Sequence, residues 1–282
     1  MSKPRSKWNG ELFHKWIREG RGQGVLKEYI PFIQIHDIPS LGICSRIISF
    51  TVGRLHHLLS RNELAVFYIL DFDEDIIDIR EQIPLLDPDD IHDLTRIVKM
   101  AEDIGIKYPR DPKSKYPYVM TTDFLVTRKD GIQKAFSIKE SKAFEHKRTR
   151  ELQEFERRYW KWRGIPWQIV TELEINYDRA RNIQWIYSAL DIDSIFPDAD
   201  LRKEVMEYEV RLYENTEYSI LKIAKKAERR FNLAGGFGLT AFQRLLFEKK
   251  LPFPLDEPLD LMSPRLYKNN KGGMISCLEI FQ

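Results

Sequence analysis

TTDFLVTRKDGIQKAFSIKES, residues 121–141, decides how the first half of this chain is read. Two runs of apolar and β-branched residues flank Lys129-Asp130-Gly131, the pattern of a β-hairpin. Yet the first run carries Asp123 and the second Lys139. Side chains alternate along a strand, so Asp123, Leu125 and Thr127 share one face, and Ser137 and Lys139 share one face of the next. The turn sets whether those faces coincide. A two-residue loop at Asp130-Gly131 would pair 129 with 132 and put Asp123 opposite Ile138, separating the charges. A three-residue loop, with Gly131 in the left-handed conformation that closes a bulge, pairs 128 with 132 and 123 with 137. The second register is expected, and it brings Asp123, Ser137 and Lys139 together.

Outward from the hairpin, periodicity supplies the remaining elements. ELFHKWIREG predicts a short helix, IISFTVGRLHHLL a strand-and-turn region, and SRNELAVFYIL a helix apolar enough to be buried on most sides. IIDIREQIPLL reads as a strand, DIHDLTRIVKMAEDIG as an amphipathic helix, HKRTRELQEFERRYWKWRG as a long helix and PWQIVTE as a strand. Mixed strands flanked by helices indicate an α/β domain. After EINYDRARN the strand signal fades, placing a boundary near 175, with domains 1–175 and 176–282. In the second, SILKIAKKAERRF, AGGFG and LTAFQRLLFEKKL resemble a helix-turn-helix.

Composition is that of an ordinary globular chain: 282 residues, 43% hydrophobic and 31% charged, with a net charge of +2. No apolar run reaches the roughly 18 residues of a membrane span, and the start MSKPRSKWNG lacks the apolar stretch of a secretory signal, so a cytoplasmic location is expected. Cys44 and Cys277 have no metal or disulfide spacing. Charge is segregated: 71–93 holds ten carboxylates against one arginine, 139–163 nine Lys/Arg against five Glu, and 221–250 eight against two. Such runs are solvated faces or surfaces that meet phosphates.

Asp123 and Lys139 on one face form either a cross-strand ion pair or part of a metal-nuclease site. The nuclease chemistry needs a carboxylate for a divalent cation and a nearby positive charge, and it needs a further carboxylate. Two are available. Glu63 follows Ser60 in an S-x-x-E capping box at the start of an apolar helix. Glu156 lies at the margin of the stripe Leu152, Phe155, Tyr159 and Trp162, where a surface ion pair would also explain it. His56 and His57 are not expected to share an ion, since neighbours on an extended segment point to opposite faces. Tyr159, Trp160, Trp162 and Trp167 are expected in the core rather than in a base-stacking platform.

The blocks GRGQG (21–25), EYIP (28–31), GRLHHLLSRNELAVF (53–67), DIREQIPLL (78–86), TTDFLV (121–126), ERRYW (156–160) and IPWQI (165–169) resemble the TnsA family, endonuclease subunits of heteromeric cut-and-paste transposons. The likeness runs from about residue 20 to 188, and ERRYW followed by IPWQI is its most specific part. It implies a restriction-endonuclease-like mixed sheet flanked by helices, followed by a mainly helical, winged-helix-like domain for partner and DNA binding. Glu63 and Asp123 then match the family's metal-binding carboxylates, Lys139 its catalytic lysine and Glu156 its further glutamate, with the Ile138 carbonyl completing the metal shell. Ser137 departs from the pattern, because that position usually offers a carboxylate or carboxamide oxygen. The implied cofactor is Mg2+, replaceable by Mn2+, in two ions.

By the same resemblance the chain would cleave the non-transferred strand at the 5′ ends of a transposon. Its partners would be double-stranded transposon ends, a DDE transposase subunit (TnsB-like) and an AAA+ regulator (TnsC-like). The apolar tail MISCLEIFQ, residues 274–282, is a candidate docking segment for the regulator or a last edge strand. Two other functions share parts of this pattern: a stand-alone restriction or repair nuclease, and a DNA-binding assembly subunit in which Ser137 marks a decayed site.

Overall fold

Residues 8–37, 44–189 and 198–263 are described by the computed structural model. The chain divides into two units, Met1–Ile175 and Asn176–Gln282. The first contains α1 (Gly10–Arg18), β1 (Ser45–Ile48), β2 (Leu55–Leu58), α2 (Arg61–Asp71), β3 (Ile76–Pro84), α3 (Thr95–Asp103), β4 (Thr121–Arg128), β5 (Gln133–Ile138), α4 (Lys147–Trp162) and β6 (Trp167–Val170). The second contains α5 (Tyr177–Tyr187), α6 (Ala199–Asn215), α7 (Ile220–Phe231) and α8 (Phe237–Phe247). No described helix is long and apolar enough to cross a membrane.

The β4–β5 hairpin forms the middle of a four-stranded sheet of order β3-β4-β5-β6. Phe124 pairs with Phe136 and Thr127 with Gln133, while the Arg128 N–H donates to the Ile132 carbonyl at 2.9 Å. This is the three-residue register, so Asp123 falls at the level of Ser137. Gly131 holds φ +81 at the turn, a conformation that a side chain would strain. β5 and β6 run parallel, joined through α4 as a crossover requires. The sheet is therefore mixed and flanked by helices, in agreement with a restriction-endonuclease-like fold.

Both faces of the hairpin are covered. Leu125 and Ala135 enter the core shared by α1, α3 and α4, with Phe13, Ile97 and Phe155 among its fully buried members. Phe124, Val126 and Phe136, the alternate positions, are equally buried on the other face. α2 is buried continuously from Ala65 to Asp71, matching its apolar sequence. Tyr159 and Trp160 are fully buried, and Trp162 and Trp167 pack against the same core, so the aromatic cluster is structural.

A buried ion network joins β2 to β3. Arg54 donates to both oxygens of Glu81, and His56 Nδ1 lies 2.9 Å from Glu81 Oε2, within ion-pair distance though not aligned as a hydrogen bond. Glu81 also accepts the His57 N–H at 3.0 Å. Burial pushes the Glu81 carboxyl up, but the charges of His56 and Arg54 and the Arg54 hydrogen bonds outweigh it and hold the group at about 2. His57 instead faces Ile35, whose N–H it accepts at 3.2 Å, so the two histidines point apart. Asp71, Asp78 and Asp87 are buried as well, whereas Glu74, Asp89, Asp90 and Asp93 are exposed, so the acidic run is a solvated face only in part. Asp71, for example, accepts the N–H groups of Phe50 and Thr51 and the Ser49 hydroxyl.

In the second unit, α7 and α8 meet across the AGGFG turn. Gly238 lets them close: a Cβ there would stand 2.4 Å from the Ala224 carbonyl oxygen. Glu228 of α7 caps α8 by accepting the Gly236 and Gly238 N–H groups at 2.7 and 3.2 Å. The described residues of this unit are helical, with no strand of a wing among them, and 274–282 lie outside the described residues.

Glu209 on α6 is fully buried, and among the described residues neither of its carboxylate oxygens has a hydrogen-bond partner. Burial, then the charge of Glu228, pushes its pKa well above the ordinary value. The folded chain thus retains a proton that the unfolded chain releases. Stability from this group is present below the unfolded pKa and declines as pH rises towards the folded one. Glu209→Gln, which carries no such charge, is expected to stabilise this unit at pH 8. It should also flatten the fall of the melting temperature between pH 5 and 8, which a pH series of thermal melts measures.

Candidate active site

Asp123 projects from β4 where the parity of the hairpin turns it toward the second strand. Its Oδ2 accepts the Ile138 N–H at 2.6 Å and the Lys139 ammonium at 2.7 Å. Lys139 Nζ also donates to the Ile138 carbonyl at 3.1 Å. One cation is thus held between a carboxylate oxygen and a main-chain oxygen. Burial works against the Lys139 charge, but the combined field of Asp123, Glu156 and Glu63 outweighs it and raises its pKa above the ordinary lysine value.

Glu63 enters the site from the N-terminus of α2. Ser60 caps the helix by accepting the Glu63 N–H at 3.1 Å, and its hydroxyl donates to Glu63 Oε1 at 2.9 Å. Glu63 Oε2 accepts the Leu59 N–H at 2.9 Å, one residue before the position a capping box uses. The structural role foreseen for Glu63 is therefore real, but it leaves lone pairs on both oxygens. Burial, and then the Asp123 carboxylate, pushes the Glu63 carboxyl up to about 7, against the opposing effects of its hydrogen bonds and of Lys139. Glu63 and Asp123 share one negative field.

Glu156 departs from its expected surroundings. The buried face of α4 includes Gln153, Phe155, Glu156, Tyr159 and Trp160, so Glu156 sits within the buried face, not at its margin. Among the described residues it has no ion-pair partner. Its carboxylate accepts from Thr122 Oγ1 at 2.7 Å, Gln153 Nε2 at 3.1 Å, Trp167 Nε1 at 3.1 Å and Ser137 Oγ at 3.4 Å. These donors are what makes burial of a carboxylate tolerable. Burial pushes it up to about 7, with Asp123 adding to the rise and Lys139 opposing it. Ser137 is fully buried, and its hydroxyl turns to Glu156. The short side chain at the departing position is thereby backed by a carboxylate from α4.

One further residue escaped sequence reasoning. Gln82, in mid-strand on β3, holds φ +50, which a residue with a side chain rarely adopts. It is buried; its Oε1 accepts the Thr121 hydroxyl at 2.9 Å, and its Nε2 stands 3.5 Å from Asp123 Oδ1. Strain of this kind costs on the order of 1–3 kcal/mol and persists where surrounding contacts enforce it. Its only trace in the sequence is the REQ of the DIREQIPLL block. Gln82→Gly relieves the backbone but removes both side-chain contacts. It is expected to leave stability within about 1 kcal/mol and to slow cleavage about tenfold by loosening Asp123. Single-turnover cleavage alongside a denaturant titration separates the two effects.

Among the described residues no three His, Cys, Asp or Glu side chains form a metal cage. The oxygens in contact with Lys139 are instead the Asp123 carboxylate and the Ile138 carbonyl, with the Glu63 carboxylate in the same field, hard donors of the kind that Mg2+ takes while keeping several waters. The Lys139 ammonium, bonded to Asp123 Oδ2 and the Ile138 carbonyl, shows that these two oxygens already hold a positive charge. The donor set fits a hydrated divalent cation.

Comparison with known proteins adds two kinds of match. A family model described as TnsA-like endonuclease N terminal covers residues 73–172, and one described as TnsA endonuclease C terminal covers 174–255. The first includes Asp123, Lys139 and Glu156 and begins after Glu63. The transposon Tn7 transposition protein TnsA of Escherichia coli is 39% identical over 247 residues, which is 87% of this chain and 86% of that protein. With both halves matched in order and a relative aligned along most of its length, this chain belongs to the TnsA family of transposition endonucleases.

Proposed function

We propose that the chain is the Mg2+-dependent endonuclease subunit of a transposase and cuts the non-transferred strand at the 5′ ends of its transposon. The observation that supports this best is the Lys139 ammonium joined to Asp123 Oδ2 and the Ile138 carbonyl beside Glu63. Glu63, Asp123 and the Ile138 carbonyl would hold the metal. When bound, Mg2+ offsets charge that builds on the scissile phosphate and makes a water easier to deprotonate.

The remaining work falls to the chain itself. The Ile138 N–H fixes the Asp123 carboxylate by a charge-assisted hydrogen bond, leaving its rotamer little freedom. Lys139, held by two oxygens, keeps a positive charge beside the site for the developing anion. Glu156 fixes Ser137 and Thr122 from behind and acts on the reaction through them, as a positioning residue. The family likeness further supports partnership with a DDE transposase subunit and an AAA+ regulator, with duplex transposon ends as substrate.

The test is cleavage of a duplex carrying the transposon end, with and without the transposase subunit, in Mg2+ and in EDTA. Metal-dependent nicking at the 5′ end that requires the transposase is expected. Efficient site-specific cutting by the chain alone would favour a stand-alone nuclease. DNA binding with no hydrolysis under any condition would favour an assembly subunit, the reading that Ser137 invites.

A further inference from the structure

The basic run at 221–250 has no part in the site around Asp123. On α7, Lys222, Lys225, Lys226 and Arg229 recur at i, i+3, i+4 and i+7, one stripe about 10 Å long. They line an open groove whose apolar members are Leu221 and Met262. Met262 is 76% exposed. Among the described residues none of the four basic groups has a carboxylate within ion-pair distance. Other basic side chains on helices do find partners: Arg157 and Arg158 share Glu154, and Arg244 takes Glu248. Lys222 and Lys226 instead lie over the Tyr218 ring, at 3.8 and 5.1 Å from its centroid, which gathers their charges on one side.

This arrangement is unfavourable for the free chain. Like charges three and four residues apart repel along a helix, each pair costing a few tenths of a kcal/mol. The helix N-terminus, capped by Ser219 in the same groove, adds positive potential. An anion relieves all of these at once. The tail is poorly suited to be that anion, since residues 264–282 carry Arg265, Lys268 and Lys271 against Glu279 alone. Three of the four groups are lysines, which act as mobile point charges without the planar fork that selects carboxylates. A linear row of point charges complements a row of phosphates.

We propose that the α7 stripe is a second DNA contact, gripping the phosphodiester backbone of duplex DNA without reading its sequence. It gives the second unit a hold on DNA that needs neither metal nor cleavage. Phosphate contacts of this kind position a protein on the duplex and leave specificity to other surfaces.

The experiment uses the full chain and a labelled random-sequence duplex, with fluorescence anisotropy followed from low to moderate salt without divalent metal. The variants are Lys222→Gln/Lys225→Gln/Lys226→Gln/Arg229→Gln and the charge-retaining Lys222→Arg/Lys225→Arg/Lys226→Arg. Each phosphate contact contributes about 0.9 to the slope of log K against log salt, so the glutamine variant should lose about 3 to 4 from that slope and at least about tenfold in affinity at low salt. The arginine variant should bind like the wild type, and thermal melts should show both variants folded. Equal slopes for the wild type and the glutamine variant would overturn the proposal, as would no binding by the wild type at low salt. Selective loss of binding to labelled poly-glutamate, with duplex binding intact, would overturn it in favour of an acidic protein partner.

Discussion

Asp123→Ala is expected to lower single-turnover cleavage of transposon-end DNA by at least about 10³-fold, equivalent to about 4 kcal/mol of transition-state stabilisation. The substitution removes the acceptor for both the Ile138 N–H and the Lys139 ammonium, so it disconnects the strand pair at the point where the site is assembled. The fold should survive. Asp123 lies at the edge of the core, and the covered faces of the hairpin are built from Phe124, Leu125, Val126 and Phe136. A melting temperature close to wild type together with lost cleavage assigns the effect to chemistry. Retained cleavage would remove Asp123 from the mechanism. Lys139→Ala should fall in the same direction, and Lys139→Arg should restore little, because a guanidinium is not a substitute for a compact ammonium between two oxygens.

The largest expected effect on stability is at Glu81. Its side chain is fully buried with Arg54, and Glu81→Ala would leave the Arg54 guanidinium, 7% exposed, without its counter-charge. Breaking one member of such a pair costs about 3–5 kcal/mol. A drop in melting temperature on the order of 10 °C follows for a unit of this size. Five of the six tryptophans precede residue 176, so tryptophan fluorescence during denaturant titration reports chiefly on the first unit. The pH dependence gives an independent check. A carboxyl held at about 2 when folded, against about 4.5 when unfolded, contributes about 3 kcal/mol that is present above pH 4.5 and lost as pH falls toward 2. The acid limb of the stability curve should therefore be shallower in Glu81→Ala.

How far the sequence alone reaches is clearest in the hairpin. Strand parity and the placement of Gly131 were sufficient to choose between two registers, because a one-residue slip would have reversed every side chain. The apolar character of α2, the S-x-x-E signal at Ser60 and the strand reading of IIDIREQIPLL are local properties, and each appears where it was expected. What stayed hidden depends on contacts distant in sequence. The burial of Glu156 is set by Thr122, Ser137 and Trp167, none of which its own helix reveals. Glu81 and Asp71 look like members of a solvated acidic run, yet their partners come from the β1–β2 region. The strained backbone of Gln82 has no signature in residue type, since glutamine is not favoured in the left-handed region. Glu63 is a case of overlap: the capping pattern identified its local hydrogen bonds but carried no sign of the Asp123 field that raises its pKa.

The most direct measurement is anomalous scattering from Mn2+ in crystals of the chain bound to transposon-end DNA, collected for the wild type and for Asp123→Ala. A peak bounded by Glu63, Asp123 and the Ile138 carbonyl, present in the wild type and lost in the variant, is the expected result. An anomalous map with no peak there in the DNA-bound wild type, or a peak that persists without the Asp123 carboxylate, would contradict the metal site on which the proposed reaction rests.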